Sequence, residues 1–93
     1  MAEVRIPTML RPAVGGERVV VADGATLRDL IGNVDRQHPG FARQLLDADT
    51  GEPRRFVNLY VNDEDVRYLR GLDTPLSDDD VVSILPAVAG GRR

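Results

Sequence analysis

Thr26-Leu27-Arg28-Asp29-Leu30-Ile31-Gly32-Asn33-Val34-Asp35-Arg36-Gln37-His38-Pro39-Gly40 is the stretch from which the fold can be built. Leu27, Leu30, Ile31 and Val34 recur at i, i+3, i+4 and i+7, which gives a helix one apolar stripe. Thr26 can cap the orphan amides of the first turn, and Asp29 completes a weak capping box at the positive end of the dipole. Arg36 and His38 lie near the other end, and Pro39-Gly40 stops the helix. A helix with one apolar face needs a second layer to cover, and the flanking segments read as that layer.

Upstream, Val4-Arg5-Ile6-Pro7-Thr8-Met9-Leu10 places Val4, Ile6 and Leu10 on one face of a half-buried strand, with Pro7 on the opposite side. Pro12 to Gly16 is turn chemistry, and Glu17 to Ala22 is a valine-rich second strand, so the two are expected to form a hairpin. Downstream, Phe41 to Leu46 adds a short helical turn with Phe41, Leu45 and Leu46 as core candidates. Asp47 to Arg55 is a polar loop. Phe56 to Val61 is the best strand by propensity, with Val57, Leu59 and Val61 inward and Phe56, Asn58 and Tyr60 outward. An acidic turn at Asn62 to Asp65 leads to an expected short strand, Val66-Arg67-Tyr68. The last strand, Val81 to Leu85, should turn Val82 and Ile84 inward and Val81, Ser83 and Leu85 outward. The expected class is α+β, one core shared by a sheet and a main helix.

Ninety-three residues make one domain with one modest core. The net charge of −3 and the scattered basic residues, all twelve of them arginine, argue against nucleic acid as the main partner. Without cysteine there is no disulfide framework, thiolate metal site or cysteine nucleophile. No apolar run approaches the roughly 18 residues of a membrane span, and no signal peptide is visible, so the expected compartment is the cytoplasm. Asp63-Glu64-Asp65 and Asp78-Asp79-Asp80 lack the spacing, central glycine and distal glutamate of a calcium loop, and no metal site is expected. His38 is the single histidine, and there is no phosphate-cradling glycine loop. Such a chain carries almost no catalytic equipment, which favours a carrier or binding module over an enzyme.

Residues 1–86 are expected to form the domain, and 87–93 a flexible tail. Pro86 lacks a ladder donor, and Gly90-Gly91 has much conformational freedom to lose on ordering. From Pro86 to Gly91 the chain spans roughly 20 Å when extended, enough to enter another protein's active site. If the last strand lies beside Phe56–Val61, then Phe56, Tyr60, Val81 and Leu85 form an exposed apolar patch near the tail's root, a candidate docking surface.

Phe56-Val-Asn-Leu-Tyr-Val-Asn-Asp-Glu-Asp-Val-Arg67, Leu72-Asp-Thr-Pro-Leu76 and Asp79-Asp-Val-Val-Ser-Ile-Leu-Pro-Ala-Val-Ala-Gly-Gly91, together with Ile6-Pro7-Thr8 and Leu10-Arg11-Pro12, carry a resemblance over nearly the whole chain. The chain resembles the ubiquitin-like sulfur carrier family of the ThiS and MoaD type, most of all its cysteine-biosynthesis branch. The resemblance implies a β-grasp fold, a mixed sheet of four to five strands packed on one main helix. It implies that Gly91 is the chemical terminus, adenylated at its carboxylate and converted to a thiocarboxylate, with Ala87, Val88, Ala89 and Gly90 threading into a partner's active site. No cofactor would be bound; ATP would be consumed by an E1-like activating enzyme. A PLP-dependent cysteine synthase or a thiosugar synthase would accept the sulfur. Arg92-Arg93 departs from the family ending, and the expectation is a precursor extension removed by a metal-dependent C-terminal peptidase. The molybdopterin synthase small subunit and a ubiquitin-like protein modifier are the alternatives within the same resemblance.

Overall fold

The computed structural model describes residues 1–87. Helix α1 spans Leu27–Gln37, and Thr26, in extended conformation, accepts the Asp29 amide at 3.2 Å through its side chain. Leu27, Leu30, Ile31 and Val34 are all buried, as the periodicity requires. Each such side chain contributes about 1.5–3 kcal/mol by leaving water. A short helix α2, Phe41–Leu45, follows through Gly40, whose φ of 101° belongs to the left-handed region. The Asp35 carboxylate accepts the amides of Gly40 and Ala42 at 3.1 and 3.0 Å, tying α2 to α1. Phe41 and Leu45 are buried, and Leu46 packs against the core while partly exposed.

Five strands form one mixed sheet: β1 Ala2–Arg5, β2 Val19–Ala22, β3 Val57–Val61, β4 Glu64–Asp65 and β5 Val81–Pro86. Their order is β2-β1-β5-β3-β4. β1 and β5 run parallel, and the other neighbours are antiparallel. The inner face carries Val4, Val20, Val57, Leu59, Val61, Val82 and Ile84, and meets the helices in one core. The expected parities of β3 and β5 therefore hold.

Two elements differ from expectation. The strand expected over Val4–Leu10 ends at Arg5, and residues Thr8–Val14 form a 3-10 helix instead. Ile6 makes the final bond of that edge, to the Arg18 carbonyl at 2.8 Å, and Pro7 has no amide with which to continue. Leu10 is buried as expected, but from the 3-10 helix, where it shares an inward face with Val14. The turn is correspondingly longer than Pro12–Gly16. The second difference is Val66–Tyr68, a 3-10 turn rather than a strand. The Asp65 carboxylate accepts the Arg67 amide at 2.9 Å, a local bond that competes with sheet pairing. The pairing strand is Glu64–Asp65, joined to β3 by Asn62 and Asp63 with φ of 51° and 72°. Two consecutive positive φ values are the signature of a type I′ hairpin turn.

Candidate functional site

β5 occupies the centre of the sheet, held by β1 on one side and β3 on the other. Its register with β3 runs from Val61↔Val82 to Val57↔Pro86, and the Ala87 amide then donates to the Phe56 carbonyl at 2.8 Å. Asn62–Val81 and Phe56–Ala87 are bonded pairs, so Pro86 falls on a non-bonded position facing β3. On its other side β1 has already ended, at the Arg5↔Ser83 pair. The missing proline amide therefore leaves no gap in either ladder. Ala87, the first residue of the expected tail, is tied to the sheet and partly buried. Val88, Ala89, Gly90, Gly91 and the Arg92-Arg93 extension lie outside the described residues.

The register also assembles the expected docking patch. Tyr60 sits opposite Ser83, between the same-face diagonals Val81 and Leu85. Such diagonal neighbours lie about 7–8 Å apart, within reach of an aromatic ring. Phe56 precedes β3 on the same parity. Phe56 and Leu85 are about half exposed, at 47% and 48%, whereas Tyr60 and Val81 are half-buried. The parallel β1–β5 pairing adds residues that the sequence alone did not bring to this face. Glu3 lies opposite Val81, and Arg5 pairs with Glu3 at 3.1 Å. Val19 and Val21 extend the surface, exposed on the outer side of β2. An uninterrupted Val-Val-Val run hides this alternation, and only the pairing with β1 reveals which valines face out.

Among the described residues no group of three or more histidine or carboxylate side chains is placed to hold a metal ion. Members of both acidic clusters have local partners. Asp65 forms a two-pronged ion pair with Arg67, and this pair with the Arg67 amide holds its carboxyl below the usual range. Asp80 accepts the Ser77 amide at 2.8 Å and the Asn62 side-chain amide at 2.8 Å, while the Asn62 side-chain Oδ1 accepts the Val81 amide at 2.9 Å. The latch joins the start of β5 to the β3–β4 turn, and the Ser77 and Asn62 donors lower the Asp80 pKa. A lowered folded-state pKa adds stability above the unfolded value, lost as pH falls below about 4. Asp80→Asn is expected to lower the urea midpoint at neutral pH and to lose less stability than the wild type on acidification to about pH 3. Equal acid sensitivity in both proteins would remove the latch from the account.

A mixed five-stranded sheet with β5 at its centre, crossed by one main helix and ending at the tail's root, defines a β-grasp protein of the ubiquitin-like kind. Residues 4–91 match the ThiS family. The chain belongs to that family: it is a sulfur carrier protein and, as such, not itself an enzyme. It is similar to the sulfur carrier protein CysO of Mycobacterium tuberculosis, with 51% identity over 89 residues, covering 95% of this chain and 96% of the relative. The crystal structure of M. tuberculosis CysO superposes with a TM-score of 0.90 and 47% identity, over 95% of this chain and all of that one. A chain of the Amycolatopsis orientalis BexX/CysO complex gives a TM-score of 0.88 and 46% identity, over 98% of this chain and all of that one. Small archaeal modifier protein 3 of Haloferax volcanii is 35% identical over 91 residues, covering 96% of this chain and 97% of the relative.

Proposed function

We propose that the chain is trimmed after Gly91, adenylated at the exposed glycine carboxylate, and converted to a C-terminal thiocarboxylate that supplies sulfur for cysteine or a thio-metabolite. A carboxylate is a poor electrophile. In the first step its oxygen attacks the α-phosphorus of ATP, and pyrophosphate leaves. A sulfide-equivalent donor then displaces AMP at the carbonyl carbon and leaves the thiocarboxylate. The partners are an E1-like activating enzyme, a metal-dependent C-terminal peptidase that removes Arg92-Arg93, and a sulfur-accepting enzyme. A PLP-dependent cysteine synthase or a thiosugar synthase fits the last role. ATP consumption puts this chemistry in the cytoplasm.

The observation that carries the reading is the clamped end of β5, bonded to β3 up to Ala87 immediately before the sequence Val88-Ala89-Gly90-Gly91, on a body with no catalytic constellation among its described residues. Glycines let the backbone pass a slot too narrow for a β-carbon. Ordering the tail costs on the order of 1–2 kcal/mol per residue. The outer face with Phe56, Tyr60, Val81 and Leu85 is then needed to supply docking energy. Leu85→Asp is expected to weaken binding to the activating enzyme about tenfold, by placing a charge in an apolar contact. Unchanged affinity in a titration would dismiss the patch.

The test of the function itself is intact-mass analysis of the chain cut after Gly91, incubated with activating enzyme, ATP and a sulfur donor. Replacement of one terminal oxygen by sulfur supports the reading, and a persistent carboxylate rejects it. The similarity to an archaeal modifier protein favours one second reading, covalent attachment to target lysines. Ladders of higher mass carrying a tagged form of the chain would support it.

A further inference from the structure

Beside Leu85, the ends of β1 and β5 and the 3-10 helix at Thr8–Val14 enclose an open groove of about 310 Å³. Pro7, Val19 and Leu85 give it apolar walls, and Arg5, Arg11 and Arg18 stand around it. The arginines come from three separate segments and converge in a chain whose net charge is −3. Arg5 pairs with Glu3. Arg11 is held by neutral acceptors, donating from Nε to the Ile6 carbonyl and from Nη1 to the Thr8 hydroxyl, each at 3.2 Å. Those bonds fix the guanidinium without cancelling its charge. Among the described residues neither Arg11 nor Arg18 has a carboxylate within ion-pair range, and Arg18 is exposed.

The geometry points to this groove as the docking site for an acidic segment of the activating enzyme that carries an apolar anchor. The inference rests on the carrier reading above. Charge and lining specify the chemistry of the occupant: an apolar side chain against Leu85 and Val19, with Asp or Glu flanking it to meet two arginine forks. The chain's own end is a poor occupant, because Arg92-Arg93 adds positive charge to positive. Position narrows the choice further. Gly91 is six residues beyond Leu85, so a catalytic centre that acts on it lies within roughly 20 Å of the groove. The activating enzyme receives the carrier while Gly91 is still an ordinary carboxylate with no sulfur to recognise. Selectivity at that step must come from the folded body, and the groove, with Leu85 in its wall, combines shape with charge close to the tail.

The experiment is a titration of the activating enzyme with the chain cut after Gly91, comparing Arg18→Glu with Arg43→Glu. Both variants change the net charge equally, but Arg43 is an exposed residue of α2 outside the groove. Arg18 makes no side-chain hydrogen bond among the described residues, so its replacement leaves the fold intact, as a matched thermal melt should show. Arg18→Glu is expected to raise Kd about tenfold, and Arg11→Gln with Arg18→Glu about a hundredfold. Arg43→Glu should change it less than about twofold. Added salt should weaken the wild type more than the double variant. Equal losses for Arg18→Glu and Arg43→Glu would reduce the effect to diffuse charge and overturn the groove. Loss of affinity only for the sulfur-accepting enzyme would overturn the choice of occupant. A wild-type chain cut after Gly91 that binds no activating enzyme overturns the carrier reading and this inference together, whereas wild-type binding indifferent to Arg18 overturns this inference alone.

Discussion

Incubated with ATP and its activating enzyme, the 93-residue chain is expected to acquire no AMP, while the chain cut after Gly91 acquires one per molecule. The reason is elementary. In the longer chain the Gly91 carbonyl belongs to an amide linked to Arg92, and no oxygen there carries the carboxylate charge that attacks ATP. The loss should be complete rather than partial, because the reacting group is missing and not merely misplaced. A third form, cut after Gly90, separates chemistry from reach. It has a free glycine carboxylate, but that carboxylate falls short by one residue, roughly 3.4 Å. Misplacement by even 1 Å can cost about a hundredfold in rate, so this form should react at least that much more slowly. Mass spectrometry of the three forms reads the result directly. AMP on the uncut chain would show that the extension does not block the reaction, and the proposed trimming step would fall.

Gly24→Ala should be among the most damaging single changes in the folded body, at about 3 kcal/mol or more of lost stability. Gly24 lies between β2 and α1, and a β-carbon built on it would stand 2.5 Å from the Leu30 nitrogen, 2.7 Å from Leu30 Cα and 2.9 Å from Leu30 Cβ. Those atoms are the backbone and first side-chain carbon of a fully buried helix residue, so no flexible group can swing aside. α1 would have to move off the sheet. Gly32→Ala supplies the opposite sign in the same helix. Its added carbon meets nothing within 4 Å, and glycine in a helix interior costs about 0.5–1 kcal/mol relative to alanine. Urea unfolding of the two variants should move in opposite directions. A Gly24→Ala protein as stable as the wild type would mean that α1 does not sit this close to the preceding loop.

The contrast between these glycines shows where sequence reading stops. Both appear in the sequence as single glycines near the same helix. Only the approach of Leu30 to Gly24 distinguishes an essential absence of side chain from a dispensable one. The apolar patch was more accessible. Phe56, Tyr60, Val81 and Leu85 followed from strand parity plus one assumption, that β5 lies beside β3, and the register satisfies it. The arginine groove required more, because its three cations are separated in sequence and meet through the 3-10 helix and the parallel β1–β5 pairing.

Helix α1, the inward residues of β3 and β5, and the diglycine ending were determined by sequence alone, since each depends on interactions within a few positions along the chain. A 3.6-residue period, a two-residue period and the torsional freedom of glycine are local properties. The choice of β5 as the sheet's central strand and its parallel pairing with β1 were decided by tertiary structure. In both, strands far apart in the sequence had to meet, and the outcome depended on which backbone groups found partners in the finished sheet.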